Sequence, residues 1–187
     1  MTRFSPGTYL LHGEVPVTLM EGLDNAFLPV GSLYHLDNPW RGYRRIARVL
    51  PAQAGDADRT IVFADDGIDD VTCGRDDLCE VAVVQSDGPE PAVCEPGIRL
   101  IEDSMPAGDV FALQTNVFLK VDEVDHLGRS WRKFRYTSGF ELRTEDTGET
   151  VHIEFADPGV TDLRYPVGVS VNVLMAVGPP KDQTPHQ

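Results

Sequence analysis

A chain of 187 residues is long enough to bury its own core, and 41% hydrophobic with 25% charged residues exclude wholesale disorder. A formal net charge of −14 excludes a general phosphate-backbone binder, so neither sequence-specific nucleic-acid binding nor a membrane partner is expected. No run approaches the roughly eighteen apolar residues of a membrane span.

The opening "MTRFSPGTYLLHGEV" interrupts its apolar run at His12, Gly13 and Glu14, unlike a secretory leader. A soluble protein made in the cytoplasm is expected. Residues 7–19 read as a strand broken at Pro16, and 42–50, 59–64 and 78–84 read as further strands. Between the last two lies "DDGIDDVTCGRDDLC", an acidic loop of six aspartates and two cysteines over 65–79. Residues 116–124, 132–143 and 150–155 form a predicted antiparallel meander across 116–156, turning at "DHLG" (125–128) and "EDTGE" (145–149). In 150–155, Val151, Ile153 and Phe155 are expected inside, with His152 and Glu154 facing solvent. In "VSVNVLMAV", Val169, Val171, Val173, Met175 and Val177 share one face and are expected in the core.

No helical stripe of ten or more residues with caps stands out, and no internal repeat is evident. The expected fold is all-β: an antiparallel sandwich or barrel with long acidic and Pro/Gly-rich loops and little helix. One domain spans 1–178, followed by a polar, Pro-rich tail at 179–187.

The acidic stretch fits a calcium loop poorly. With Asp69 at position one, Gly74, Asp77 and Glu80 fall correctly, but Val71 and Cys73 occupy the third and fifth positions, where oxygen ligands are needed. Cys73, Cys79 and Cys94 are odd in number and lack the short knuckle spacing of a zinc site, so they read as free thiols and no cofactor or metal is expected. His12 with Glu14, His35 with Asp37 and His152 with Glu154 each share a strand face, a spacing that also arises by chance in a chain with thirty acids. Phosphate loops, nucleophile elbows and His-Glu-x-x-His are absent, and no catalytic residue is assigned.

Charge is unevenly distributed. Arg41, Arg44, Arg45 and Arg48 share one predicted strand, while Asp65, Asp66, Asp69, Asp70, Asp76 and Asp77 crowd the acidic loop. Contacts between such surfaces on successive subunits build rings or tubes. The expectation is therefore a non-enzymatic structural subunit of a repeating assembly, such as a phage or phage-like tail, connector or capsid-associated protein, with these ten residues at the interface. Its partners would be further copies or neighbouring subunits, in a virion or similar particle. The alternative is a β-barrel that binds or cyclises a small apolar molecule, with Trp40, Trp131, Tyr136 and Phe140 lining its cavity.

Overall fold

The structure, a computed structural model, describes residues 4–51, 58–88, 94, 96–113, 116–157 and 159–178. The Pro-rich tail at 179–187 lies outside the described residues. Twelve strands form one antiparallel network: β1 (Thr8–Pro16), β2 (Ala26–His35), β3 (Asn38–Pro51), β4 (Asp58–Phe63), β5 (Val71–Gly74), β6 (Leu78–Ser86), β7 (Arg99–Pro106), β8 (Val117–His126), β9 (Arg129–Glu145), β10 (Gly148–Phe155), β11 (Leu163–Pro166) and β12 (Ser170–Val177). A helical turn, α1 (Val17–Met20), follows β1, and a 3-10 turn, Ala107–Ala112, follows β7. Among the described residues no helix is long and apolar enough to cross a membrane.

Eight strands close on themselves. Their order is β1, β6, β2, β3, β7, β12, β8, β9, and β9 pairs back onto β1 through Tyr9–Arg135 and His12–Arg132. The result is a barrel. The long strands β3 and β9 run on past its wall, where β3 carries β4 and β5, and β9 carries β10 and β11, as two outer flaps. The predicted meander over 116–156 is present as β8, β9 and β10.

Contrary to the sequence reading, the barrel consists of two copies of one six-strand unit. Replacing each of β1–β6 by its counterpart in β7–β12 maps the ring order onto itself. The hydrogen bonds agree. Val17 and Thr18 N–H donate to Asp77 and Arg75 carbonyls (3.1 and 3.2 Å), and in the second copy Ala107 and Gly108 N–H donate to Val169 and Val167 carbonyls (2.7 and 2.9 Å). Trp40 Nε1 donates to His35 O and Trp131 Nε1 to His126 O, both at 2.9 Å. Gly7 and Gly97 share a positive φ of 94° and 84°, a conformation costly for side chains with a Cβ. In sequence, "HLDNPWR" answers "HLGRSWR" and "IVFADDGIDDV" answers "IEFADPGVTDL".

Packing follows from closure. The lumen is filled by Leu10, Phe27, Tyr43, Ala82, Leu100, Phe118, Phe134 and Leu174, with Phe4 and Cys94 at one end. Burying each large apolar side chain contributes about 1.5–3 kcal/mol. Outside the wall, the first flap covers Leu11, Leu28, Val81, Val83 and Trp131, and the second covers Trp40, Ile101, Leu119, Val173 and Met175. Wall strands are therefore buried on both faces, which explains why Leu174 (0% exposed) and Ala176 (5%) are as deep as Val171, Val173 and Met175. Val151, Ile153 and Phe155 are buried as predicted.

Two expectations are corrected. His152 is buried beneath Glu145, which its Nε2 meets at 3.2 Å, because β10 is flanked by β9 and β11, whereas Glu154 is exposed as expected. Val169 is 41% exposed because it precedes β12 in the turn that bonds Ala107.

The two copies give a direct stability test. A Cβ on Gly13 would lie 3.1 Å from the Trp131 ring, whereas the equivalent position in the second copy already carries Asp103. Gly13→Ala is expected to destabilise by about 1–3 kcal/mol, and Asp103→Ala by less than about 1 kcal/mol. Urea denaturation measures both, and equal losses would contradict the packing described.

Candidate functional site

Alternation along the wall places His12, Arg41, Tyr43, Glu80, Glu102 and Arg132 on the lumen side, two residues beyond the apolar filling. They meet at the barrel mouth opposite Phe4. Arg132 Nε donates to His12 Nδ1 (3.2 Å), so the imidazole N–H lies on Nε2, facing Tyr43 Oη at 3.0 Å. Tyr43 O–H donates to Glu102 Oε2 (2.5 Å), and Arg132 Nη2 donates to Glu102 Oε1 (3.1 Å). Arg41 pairs with Glu80.

Two guanidinium groups thus balance two carboxylates around a neutral imidazole. Burial holds the His12 pKa below the ordinary histidine value, with Arg132 adding to the effect and Glu102 opposing it. Burial and the bond to Glu102 push the Tyr43 hydroxyl far above the ordinary phenol range, so it remains a donor. Burial alone would raise Glu102, but the Tyr43 hydrogen bond, the charge that His12 carries once protonated and the Arg132 guanidinium outweigh it and keep the carboxyl below its usual range. The network can hold a proton on Tyr43, and it can sense acid through His12.

The arginines singled out from sequence are largely engaged within the chain. Arg41 pairs with Glu80, Arg44 Nη1 donates to Asp65 Oδ2 at 3.0 Å, and Arg45 donates to Cys94 O and Asn25 Oδ1, both at 3.2 Å. Arg48 is exposed. The stretch "DDGIDDVTCGRDDLC" is the turn of the first flap, the strand β5 and the return to β6. In it Asp77 accepts the Gly74 N–H (2.8 Å), Asp76 lies 3.7 Å from Arg75 Nε, and Asp66, Asp69 and Asp70 face solvent. Cys73, Cys79 and Cys94 are free thiols, and burial beside Cys73 pushes the Cys79 thiol up to about 11. Among the described residues, no three His, Cys, Asp or Glu side chains gather as a metal-binding group.

Of the histidine pairs, His12 enters the mouth cluster, where its partners are Glu102 and Tyr43, while Glu14 is exposed. His35 packs edge-on to Trp40 beside the β2–β3 turn that contains Asp37. Trp40 and Trp131 lie outside the barrel wall under the flaps. Tyr136 stacks on Phe118 at 5.1 Å at the lumen, and Phe140 packs edge-on to Phe111 at the second flap. Sequence reasoning missed Tyr43, Glu80, Glu102 and Arg132. The repeat would have revealed the last two, since "LLH" aligns with "LIE" and "PWRGY" with "SWRKF".

No protein-family model matches the chain, and no curated protein or solved structure matches it.

The mouth network sets an acid limb of stability. A histidine with a depressed folded pKa excludes a proton that the unfolded chain takes up below about pH 6.5, so its contribution is present above that pH and is lost as pH falls. Glu102 contributes above its unfolded value of about 4.5 and is lost later, as pH falls through its lower folded value. His12→Gln is expected to lower stability at pH 7 by about 1–3 kcal/mol and to abolish the loss between pH 7 and 5, leaving the later loss. Chemical denaturation across pH measures this, and an unchanged slope between pH 7 and 5 would refute the role given to His12.

Proposed function

We propose that the chain is a non-enzymatic structural subunit of a repeating assembly, such as a phage or phage-like tail, connector or capsid-associated protein. The supporting observation is the divergence of two copies of one flap. In sequence the first carries Asp66, Asp69 and Asp76 where the second has Pro158, Thr161 and Gly168. Because the second copy makes the same backbone bonds without these carboxylates, the fold does not require them. A duplicated unit presents two equivalent outer faces, and a head-to-tail contact needs two different ones. Charging one flap makes that difference.

The filled lumen supports the same reading, since the barrel interior is occupied by its own side chains. With Arg41, Arg44 and Arg45 already engaged, the acidic flap's partner is a basic surface on a neighbouring subunit rather than the β3 arginines of another copy. A groove of about 450 Å3 between Leu36, Trp40, Met105 and Leu113, outside the barrel, favours the second reading of a small-molecule binder.

Neutralising the flap tests the assembly reading without disturbing the fold. Asp66→Asn, Asp69→Asn and Asp76→Asn together are expected to change stability by about 0.5 kcal/mol per site or less. The unaltered chain is expected to associate at low salt and less at high salt, and the substitutions are expected to abolish that association. Sedimentation velocity over a range of concentrations, alone and with co-expressed neighbouring proteins, gives the readout. Monomers under every condition for both proteins would move the assignment to the small-molecule groove.

A further inference from the structure

We propose that Arg44 and Arg99 form a binding site for a phosphate-sized oxyanion on the outer face of the barrel, where β3 meets β7. The two arginines are direct cross-strand partners, a like-charge placement that is destabilising unless an anion compensates it. Among the described residues one carboxylate pairs with the two arginines: Asp65, which binds Arg44. Arg99 makes no ion pair among the described residues, and its Nε is buried without a hydrogen-bond acceptor. Such a group calls for a water or an ion beside it. Burial, then repulsion from Arg44, lowers the Arg99 pKa, while Asp65 works against both.

The equivalent junction of β9 with β1 supplies an internal control. There Tyr9 takes the place of Arg99 and Arg135 that of Arg44, and Arg135 is held by Asp157 (3.0 Å) and Asp87 (2.6 Å) while its guanidinium also stacks on Tyr9. Lys133 covers the Tyr9 ring at 4.4 Å. In the first copy Gly42 stands where Lys133 does, so no lysine side chain lies over the pair from that position. The opening continues into a depression of about 70 Å3 lined by Val30, Ser32, Gly42, Arg44 and Arg99, over the bulge between Pro29 and Ser32 in β2. That space takes one small ion. Two guanidinium forks against one carboxylate leave an uncompensated positive charge in a chain that is otherwise strongly negative, and guanidinium geometry suits a bidentate oxyanion.

The test is calorimetric titration of inorganic phosphate into the full chain at low ionic strength. One phosphate per chain is expected, with affinity about tenfold weaker in Arg99→Gln and severalfold tighter in Asp65→Asn, which frees Arg44 from its competing carboxylate. Arg48→Gln, an exposed arginine of the same strand, is expected to leave binding unchanged. Should Arg99→Gln fail to fold, Arg99→Tyr installs the residue that the equivalent position 9 already carries beside an arginine, and the same loss is expected. Absence of phosphate binding by the unaltered chain, or an equal loss in Arg48→Gln, would overturn the proposal.

Discussion

Ring closure is the constraint on which the rest of the structure depends. Each copy of the unit ends in a strand edge, and an open edge is a site of uncontrolled pairing. The edges seal against each other at two equivalent seams, Tyr9 to His12 against Arg132 to Arg135, and Arg99 to Glu102 against Arg41 to Arg44. Strand alternation then assigns the four pairs of each seam in turn to the outside, the lumen, the outside and the lumen. The lumen filling (Leu10 with Phe134, Leu100 with Tyr43), the mouth network (His12 with Arg132, Glu102 with Arg41) and the outer charge sites (Tyr9 with Arg135, Arg99 with Arg44) are all consequences of this one register. A slip of one residue would turn the polar pairs into the apolar lumen and the apolar pairs out of it.

Two copies around a pseudo-twofold axis face a particular electrostatic problem at that axis. Identical ionisable residues would meet their own kind, and like charges in a half-buried mouth repel strongly. The positions that meet there have diverged into complementary partners. His12 faces Glu102 at 3.4 Å, and Tyr43, whose counterpart is Phe134, supplies the hydroxyl that joins them. Farther from the axis, where equivalent residues do not meet, both copies keep the same pair: Arg44 with Asp65 and Arg135 with Asp157.

The strands legible in the sequence were those with clean alternation or turn chemistry, such as β10 and the β8–β9 hairpin at Leu127 and Gly128. The strands β2 and β7 were not, because Pro29 and Gly31 interrupt the first and "RLIEDSMP" mixes apolar and acidic residues that point to different compartments. The one-sided reading of β12 failed for a related reason: a wall strand under a flap has two buried faces, and alternation no longer reports which side is solvent. The mouth cluster was illegible for a stronger reason. His12, Glu102 and Arg132 come from β1, β7 and β9, and only the closed ring brings them within hydrogen-bond reach. The spacing of His12 and Glu14 pointed to a neighbour on the same strand, whereas the groups that bind His12 lie across the seam and across the lumen.

The repeat itself was hidden because the copies keep residue types mainly at scattered packing and turn positions. Ile61 and Ile153, Phe63 and Phe155, and Trp131 and Trp40 hold equivalent packing positions, but the solvent-facing residues between them changed freely. That contrast gives the acidic stretch its meaning. In a unit present twice, what the fold needs must appear in both copies, so Asp65 and Asp157, each binding an arginine that ties flap to wall, belong to the architecture. Asp66, Asp69 and Asp76 appear once and make no bond that their counterparts lack, apart from the long contact of Asp76 with its neighbour Arg75. Their mutual repulsion is a small standing cost at the surface. A cost carried by one copy and not by the other is not set by how the flap folds.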